Sequence, residues 1–144
     1  METQQCHQLV DRPLRLPQGA GTYWFTPHDS AWNGAWGPGL PLGLTPLLPC
    51  SWAALYADLT LVAAGATATF RVELSPDGIV WHTSFLHDLT AAQNKWIQAA
   101  NLVVNANATA VLLGISNPAP YVRVGVVIAN NPIDFRSLWL VTES

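Results

Sequence analysis

The side chains that could carry acid–base, nucleophilic or metal chemistry are few: four histidines, nine acids and two cysteines in 144 residues. Their densest group is His82-Thr83-Ser84-Phe85-Leu86-His87-Asp88. Ser84, His82 and Asp88 supply the types of a nucleophile, a base and an orienting acid, which a triad needs within hydrogen-bond reach of one another. No nucleophile-elbow sequence surrounds Ser84, and any chain of this length offers such triplets by chance. His82 and His87 are five apart, an odd spacing that puts two rings on opposite faces of a strand. A metal needs both on one side and a third ligand. Three of the nine acids, Glu2, Asp11 and Asp29, fall in the N-terminal third, which leaves few for a glycosidase pair. Neither a P-loop nor a dinucleotide fingerprint is present. The expectation is no enzyme, no metal and no cofactor. Cys6 and Cys50 make neither a disulfide scaffold nor a zinc site by themselves, and a reduced, buried pair is expected of a cytoplasmic product.

The elements that would position these residues are strands. Phe70, Val72 and Leu74 alternate with Thr69, Arg71 and Glu73, the pattern of a half-buried strand over Thr67 to Ser75. Leu55, Ala57, Leu59 and Leu61 alternate in the same way with Tyr56, Asp58, Thr60 and Val62. Pro76-Asp77-Gly78 is a turn, because Pro presets φ and Gly supplies φ > 0, and Ile79 to Phe85 returns from it as a hairpin. Trp81 is expected to cap the core behind that turn. Further strands fall over Trp96 to Val104, Thr109 to Ile115, Tyr121 to Ala129 and Phe135 to Thr142. Only Asp88 to Asn94 could hold a short helix, with Asp88 or Thr90 as its cap. Seven or eight short strands with turns between them predict an all-β, antiparallel β-sandwich, jelly-roll-like, over residues 51–144.

Residues 1–50 read differently. They hold seven of the eleven prolines and six of the ten glycines. Gly34-Ala35-Trp36-Gly37-Pro38-Gly39 and Pro41-Leu42-Gly43-Leu44-Thr45-Pro46 forbid a helix and interrupt a strand ladder. Two stretches look strand-like: Gln8 to Leu16, broken by Pro13, and Thr22 to Thr26. Disordered segments are poor in large apolar residues, yet this one contains Tyr23, Trp24, Phe25, Trp32, Trp36 and leucines from Leu40 to Leu48. It is expected to be an extended arm that reaches ~100 Å when straight and covers its apolar side chains partly on a neighbouring subunit.

Composition points the same way. Charged residues make up 10% of the chain, against about 25% in an average soluble domain. A surface so poor in charge exposes apolar groups, and large apolar patches mark interfaces. Lys95 is the only lysine and the five arginines are scattered, so no basic stripe exists for nucleic acid and no basic amphipathic helix for a membrane surface. The polar start Met1-Glu2-Thr3-Gln4-Gln5 leads into no apolar run, so no signal peptide is expected.

The stretch Ala68-Thr69-Phe70-Arg71-Val72-Glu73-Leu74-Ser75-Pro76-Asp77-Gly78-Ile79-Val80-Trp81, followed by Pro120-Tyr121-Val122-Arg123-Val124, resembles a pattern of tailed-phage structural proteins. There one strand carries S-x-D-G-x-x-W and a later one reads P-Y-V-R-V. The resemblance covers roughly residues 53 to 142. The whole chain resembles a head decoration protein, also called an auxiliary or cementing capsid protein, of a thermophilic phage. That resemblance implies a homotrimer on the capsid surface of the virion, assembled after synthesis in the host cytoplasm, whose N-terminal arm staples the major capsid protein. The contacts it implies are at Trp24, Trp32, Trp36, Leu40, Leu42, Leu44, Leu47 and Leu48. Two other readings stay open: a carbohydrate-binding module using Trp52, Trp81, Trp96 or Trp139, and a minor tail or baseplate protein.

Overall fold

A computed structural model describes residues 4–10, 13–19, 21–27, 46–90 and 98–144. Among these residues there are twelve strands and no helix. They are β1 (Gln4–Val10), β2 (Leu14–Leu16), β3 (Tyr23–Phe25), β4 (Trp52–Leu61), β5 (Thr67–Ser75), β6 (His82–Ser84), β7 (Leu86–Asp88), β8 (Gln98–Ala99), β9 (Asn101–Val104), β10 (Ala108–Ser116), β11 (Tyr121–Ala129) and β12 (Ile133–Glu143).

The strands form two antiparallel sheets. Sheet A runs β1-β12-β4-β10-β7-β8, and β2 continues the edge that β1 begins along β12. Sheet B runs β3-β11-β5-β6, and β9 shares with β6 the far edge of β5. With β1 and β2 counted as one interrupted strand, and β6 and β9 as another, this is the jelly-roll order. The chain steps between sheets at nearly every turn, so each sheet is made of strands distant in sequence.

The alternation seen in the sequence sets the faces. Leu55, Leu140 and Leu113 meet on the inner side of sheet A, and Phe70, Val72, Val124 and Val126 on that of sheet B, all buried. Phe70 and Phe135 pack edge-on across the middle, 6.3 Å between ring centres, a favoured geometry for aromatic pairs.

The expected division at residue 50 is not where the sheets divide. Leu9, Val10, Leu16 and Phe25 are fully buried in the core, and β1, β2 and β3 pair with β12 and β11. Pro13 separates β1 from β2 at the place where the register along β12 passes from Leu138 to Phe135. Strands β1, β2 and β3 are therefore edge strands of the two sheets rather than parts of an arm. An edge strand needs only one row of hydrogen bonds, which is why a proline-punctuated sequence can fill it.

The segment 28–45 lies outside the described residues, but both its flanks are placed. Strand β3 runs antiparallel to β11 toward Tyr121, so Pro27 leaves at the end of the sandwich where β11 begins. Leu47 N–H donates to the Pro120 carbonyl and Ser51 N–H to the Glu143 carbonyl at that same end. The turn after β5 and the start of β1 lie there too.

Candidate functional site

The histidine-rich stretch does not assemble a catalytic group. β6 lies on the edge of sheet B and β7 on sheet A, so the chain crosses between sheets at Phe85 and separates His82 from His87. Ser84 Oγ donates to the carbonyl of Phe85 at 3.1 Å. Asp88 Oδ1 accepts from the Thr90 amide at 3.0 Å and hydroxyl at 2.7 Å; the rest of the short helix expected over Asp88 to Asn94 lies outside the described residues. His87 Nε2 instead lies 3.0 Å from Ser116 Oγ, across the sheet. Among the described residues no three His, Cys, Asp or Glu side chains converge on a point. Cys6 is exposed and Cys50 half-buried, both free thiols, so the expected buried pair does not form.

The two sequence motifs forty residues apart do meet. In the turn after β5, the Ser75 hydroxyl accepts from the amides of Gly78 at 2.8 Å and Asp77 at 3.3 Å, and donates to Asp77 Oδ1 at 2.9 Å. Asp77 Oδ1 also accepts from the amides of Ile79 at 2.8 Å and Val80 at 3.0 Å. Those backbone donors, with Ser75, hold the Asp77 carboxyl below its usual range. Gly78 takes φ +77°, and the space beside it is closed by the ring of Tyr121, 3.5 Å from where a Cβ would stand. Ser75, Asp77 and Gly78 are therefore one self-bonded turn docked on the tyrosine of the second motif.

The turn delivers Trp81 to the outer face of sheet B, not to the core as expected. There the Arg123 guanidinium lies between two indoles, 4.4 Å from the Trp81 centroid and 4.1 Å from that of Trp24. Cations over indole faces are held by the ring quadrupole. Arg123 Nε donates to Glu73 Oε1 at 2.7 Å, and both Arg123 Nη2 and Arg71 Nη2 bond the same carboxylate. Burial pushes the Glu73 pKa up, but the hydrogen bonds and charges of the two arginines outweigh it, and the net direction is down. Trp24 fits because its partner across the ladder is Gly125; a Cβ there would stand 2.7 Å from Trp24 Cζ3.

The residues expected at an interface divide three ways. Trp24 and Leu47 are buried within their own subunit, at 8% and 6% exposure, and so are not available to a neighbour. Leu48 is 60% exposed, as expected. Trp32, Trp36, Leu40, Leu42 and Leu44 lie outside the described residues. Sequence reasoning missed Ile79 and Val80, exposed at 79% and 54%. The signal was there: two branched aliphatics directly after Pro-Asp-Gly belong to the turn itself rather than to the returning strand, which begins only at His82. Ile79, Val80 and Leu48 decorate the end of the sandwich from which the 28–45 segment departs. Leu47, Leu48, Pro49, Cys50 and Pro118 to Pro120 line an apolar hollow of about 290 Å³ at that end.

No protein-family model matches the chain, and no curated protein matches it. Among solved structures it is similar to one described as the crystal structure of PirA, with 12% identity over 98% of this chain and 93% of that one and a TM-score of 0.28. A likeness at that level carries no argument about fold or function.

Proposed function

We propose that this chain is a structural virion protein that binds the outside of a phage capsid as an oligomer, a trimer, and stabilises the shell by cross-linking capsid subunits. One observation carries the reading: the flanks of the Trp- and Leu-rich segment 28–45 and the exposed Leu48, Ile79 and Val80 share one end of the jelly roll. That end carries three of the seven large exposed hydrophobics among the described residues, in a chain with only 10% charged residues, and such surface calls for a covering partner. The motif cluster supports it as a rigid mount, because Asp77, Gly78 and Trp81 fix the loop that presents Ile79 and Val80.

The mechanism is linkage. A protein that binds the assembled shell and not its separated subunits stabilises the shell by its binding free energy. Copies joined to one another add avidity without new contacts per copy. Three-fold closure uses a heterologous contact between unlike patches.

The folded position of β1 to β3 decides how to test this. Removing residues 1–50 would take three strands from the sheets and unfold the sandwich. Replacing only residues 28–45 with a short Gly/Ser linker leaves every described strand intact. Sedimentation of this variant with expanded shells of a major capsid protein should show binding lost while the melting temperature holds. Normal decoration by the linker variant would refute the reading.

A further inference from the structure

Strand β1 is held unevenly along its length. It closes one edge of sheet A and pairs with β12 alone among the described strands, so a single ladder secures it. Its last residues, Leu9 and Val10, are fully buried. Of its first five, Gln4 and Cys6 are exposed, and Gln5, His7 and Gln8 are only partly buried. The register along β12 slips between Gln8 and Val10, at the junction of these two halves. The weaker half carries one inward-facing titratable group. His7 lies opposite Leu140 and, through it, in the same row as Leu55, both fully buried, so its ring points to the inner side of the sheet. Its Nε2 is buried, with no hydrogen-bond partner among the described residues.

We infer that His7 is an acid-sensitive latch: its protonation releases Gln4–Gln8 from β12 about the bulge before Val10, while Leu9, Val10 and the rest of the sandwich stay folded. The neutral ring can keep its single N–H on the other nitrogen, whereas the charged ring carries a proton on both. Docked, it puts a donor and a charge where neither an acceptor nor a counter-charge waits, and such burial is costly. The neighbouring groups do not relieve it. Around it on the inner side stand Leu138, Leu140 and Thr142 of β12 and Leu55 of β4. Glu143 is three positions along β12 and on the outer side, where it accepts from Gln4. Cys50, which lines a hollow with Gln5 and Thr142, is a thiol that burial keeps neutral in acid. Burial alone acts on the His7 ring, and it lowers the pKa from 6.5. The released ring titrates near its ordinary value of about 6.5, so release takes up a proton. The opening constant then rises by up to about tenfold per pH unit below that value, until the docked ring titrates too. A strand end held by one ladder, with no fully buried residue, is the least costly part of the sheet to open. Its release bares the Trp139–Glu143 edge of β12, a row of backbone donors and acceptors that a strand of another chain can pair with.

Hydrogen–deuterium exchange of the full chain tests it, read by mass spectrometry at pH 7.5 and pH 5.0 and corrected for the intrinsic exchange rate. In the wild type the peptide covering Gln4–Gln8 should lose protection by about fivefold or more at the lower pH, while peptides of β5 and β11 keep theirs. His7→Gln and, independently, His7→Leu should give the same protection at both pH values, whatever its level. His82→Gln, at an exposed position of β6, should behave as the wild type. Wild-type protection of Gln4–Gln8 that is the same at both pH values, a loss that persists in both His7 variants, or a loss shared by β5 and β11 would each overturn the inference. None of these outcomes bears on the capsid reading, which is tested on residues 28–45.

Discussion

On the outer face of sheet B the polar and aromatic side chains have found one another. Glu73 holds Arg71 and Arg123, two indoles close over Arg123, and Trp24 and Glu73 end up as buried as core residues although they point away from the core. On the outer face of sheet A the equivalent positions carry Tyr56, Trp139, Val141 and Val111, side by side, Tyr56 exposed and the other three partly buried. The same two-residue period built both faces. They differ in whether the outward residues can satisfy each other within one chain: a carboxylate, two guanidiniums and two indoles can, whereas a row of aromatics and aliphatics can only be covered from outside. Face B is accordingly a place where substitutions cost subunit stability, and face A one where the subunit tolerates them.

The hardest test of that contrast is Glu73→Ala. It strands two guanidiniums, one of them 17% exposed and packed between indoles and the other 38% exposed. Breaking a fully buried pair costs ~3–5 kcal/mol; with one arginine partly in water, about 2–3 kcal/mol is expected, read as a shift in the urea midpoint. The counterpart Tyr56→Ala on face A should stay within about 0.5 kcal/mol for the separated subunit. A neutral Glu73→Ala would mean that face B does not depend on its own ion cluster.

How far the sequence foretold this depends on the range of the contact. Thr67 to Ser75 and Tyr121 to Ala129 coincide with β5 and β11, because period-two alternation is local and visible. The Pro-Asp-Gly turn was legible for the same reason. Trp24, in contrast, was placed in an arm because its neighbours are proline and glycine. Its fate is decided by Gly125, a hundred residues away, which leaves the gap its ring fills. Leu9, Leu16 and Phe25 show the same effect: their two stretches look strand-like, but whether such a strand joins the sheet is decided by the partner that offers a free row of hydrogen bonds. The exposed end was half-legible, through Leu48. Ile79 and Val80 were assigned to a strand because their residue types favour one, when Asp77 had already taken their amides into the turn.

Two glycines sharpen the comparison. Gly125→Ala drives a Cβ to within 2.7 Å of Trp24 and 2.9 Å of Thr22. Trp24 is buried and cannot swing away without uncovering Arg123, so a loss of about 1–3 kcal/mol is expected, as for an overpacked core. Gly114→Ala sets a Cβ 2.1 Å from the ring of Trp52, a tighter clash on paper. The clash falls on the far end of the Trp52 indole, which packs on the ring of His87 at 5.5 Å between centres but is only partly buried, so a shift of the ring relieves it and the expected cost is under about 1 kcal/mol. Thermal melts of the two variants should rank Gly125→Ala as the more damaging. The opposite ranking would mean that Trp52 is as firmly fixed as Trp24.

Acid should take the two sheets apart in separate windows, and here the effect is smallest, since a neutral Glu73 can still accept hydrogen bonds from both arginines. On the edge of sheet A, burial lowers the His7 pKa below 6.5, and its Nε2 is buried with no hydrogen-bond partner among the described residues. The unfolded chain therefore takes up a proton below pH 6.5 before the folded one does, and stability declines as pH falls from 6.5 toward the folded value. Glu73 acts later. Its folded pKa lies below 4.5, so its contribution is complete above about pH 4.5 and is lost as pH falls through the folded value. Melting temperature followed from pH 8 to pH 3 should show two declines. His7→Gln should flatten the first and leave the second; Glu73→Gln should leave the first and make the second shallower, since Asp77 and Asp134 are also held below their usual range and contribute there. If one variant flattened both, the edge of sheet A and the outer face of sheet B would be a single cooperative unit in acid.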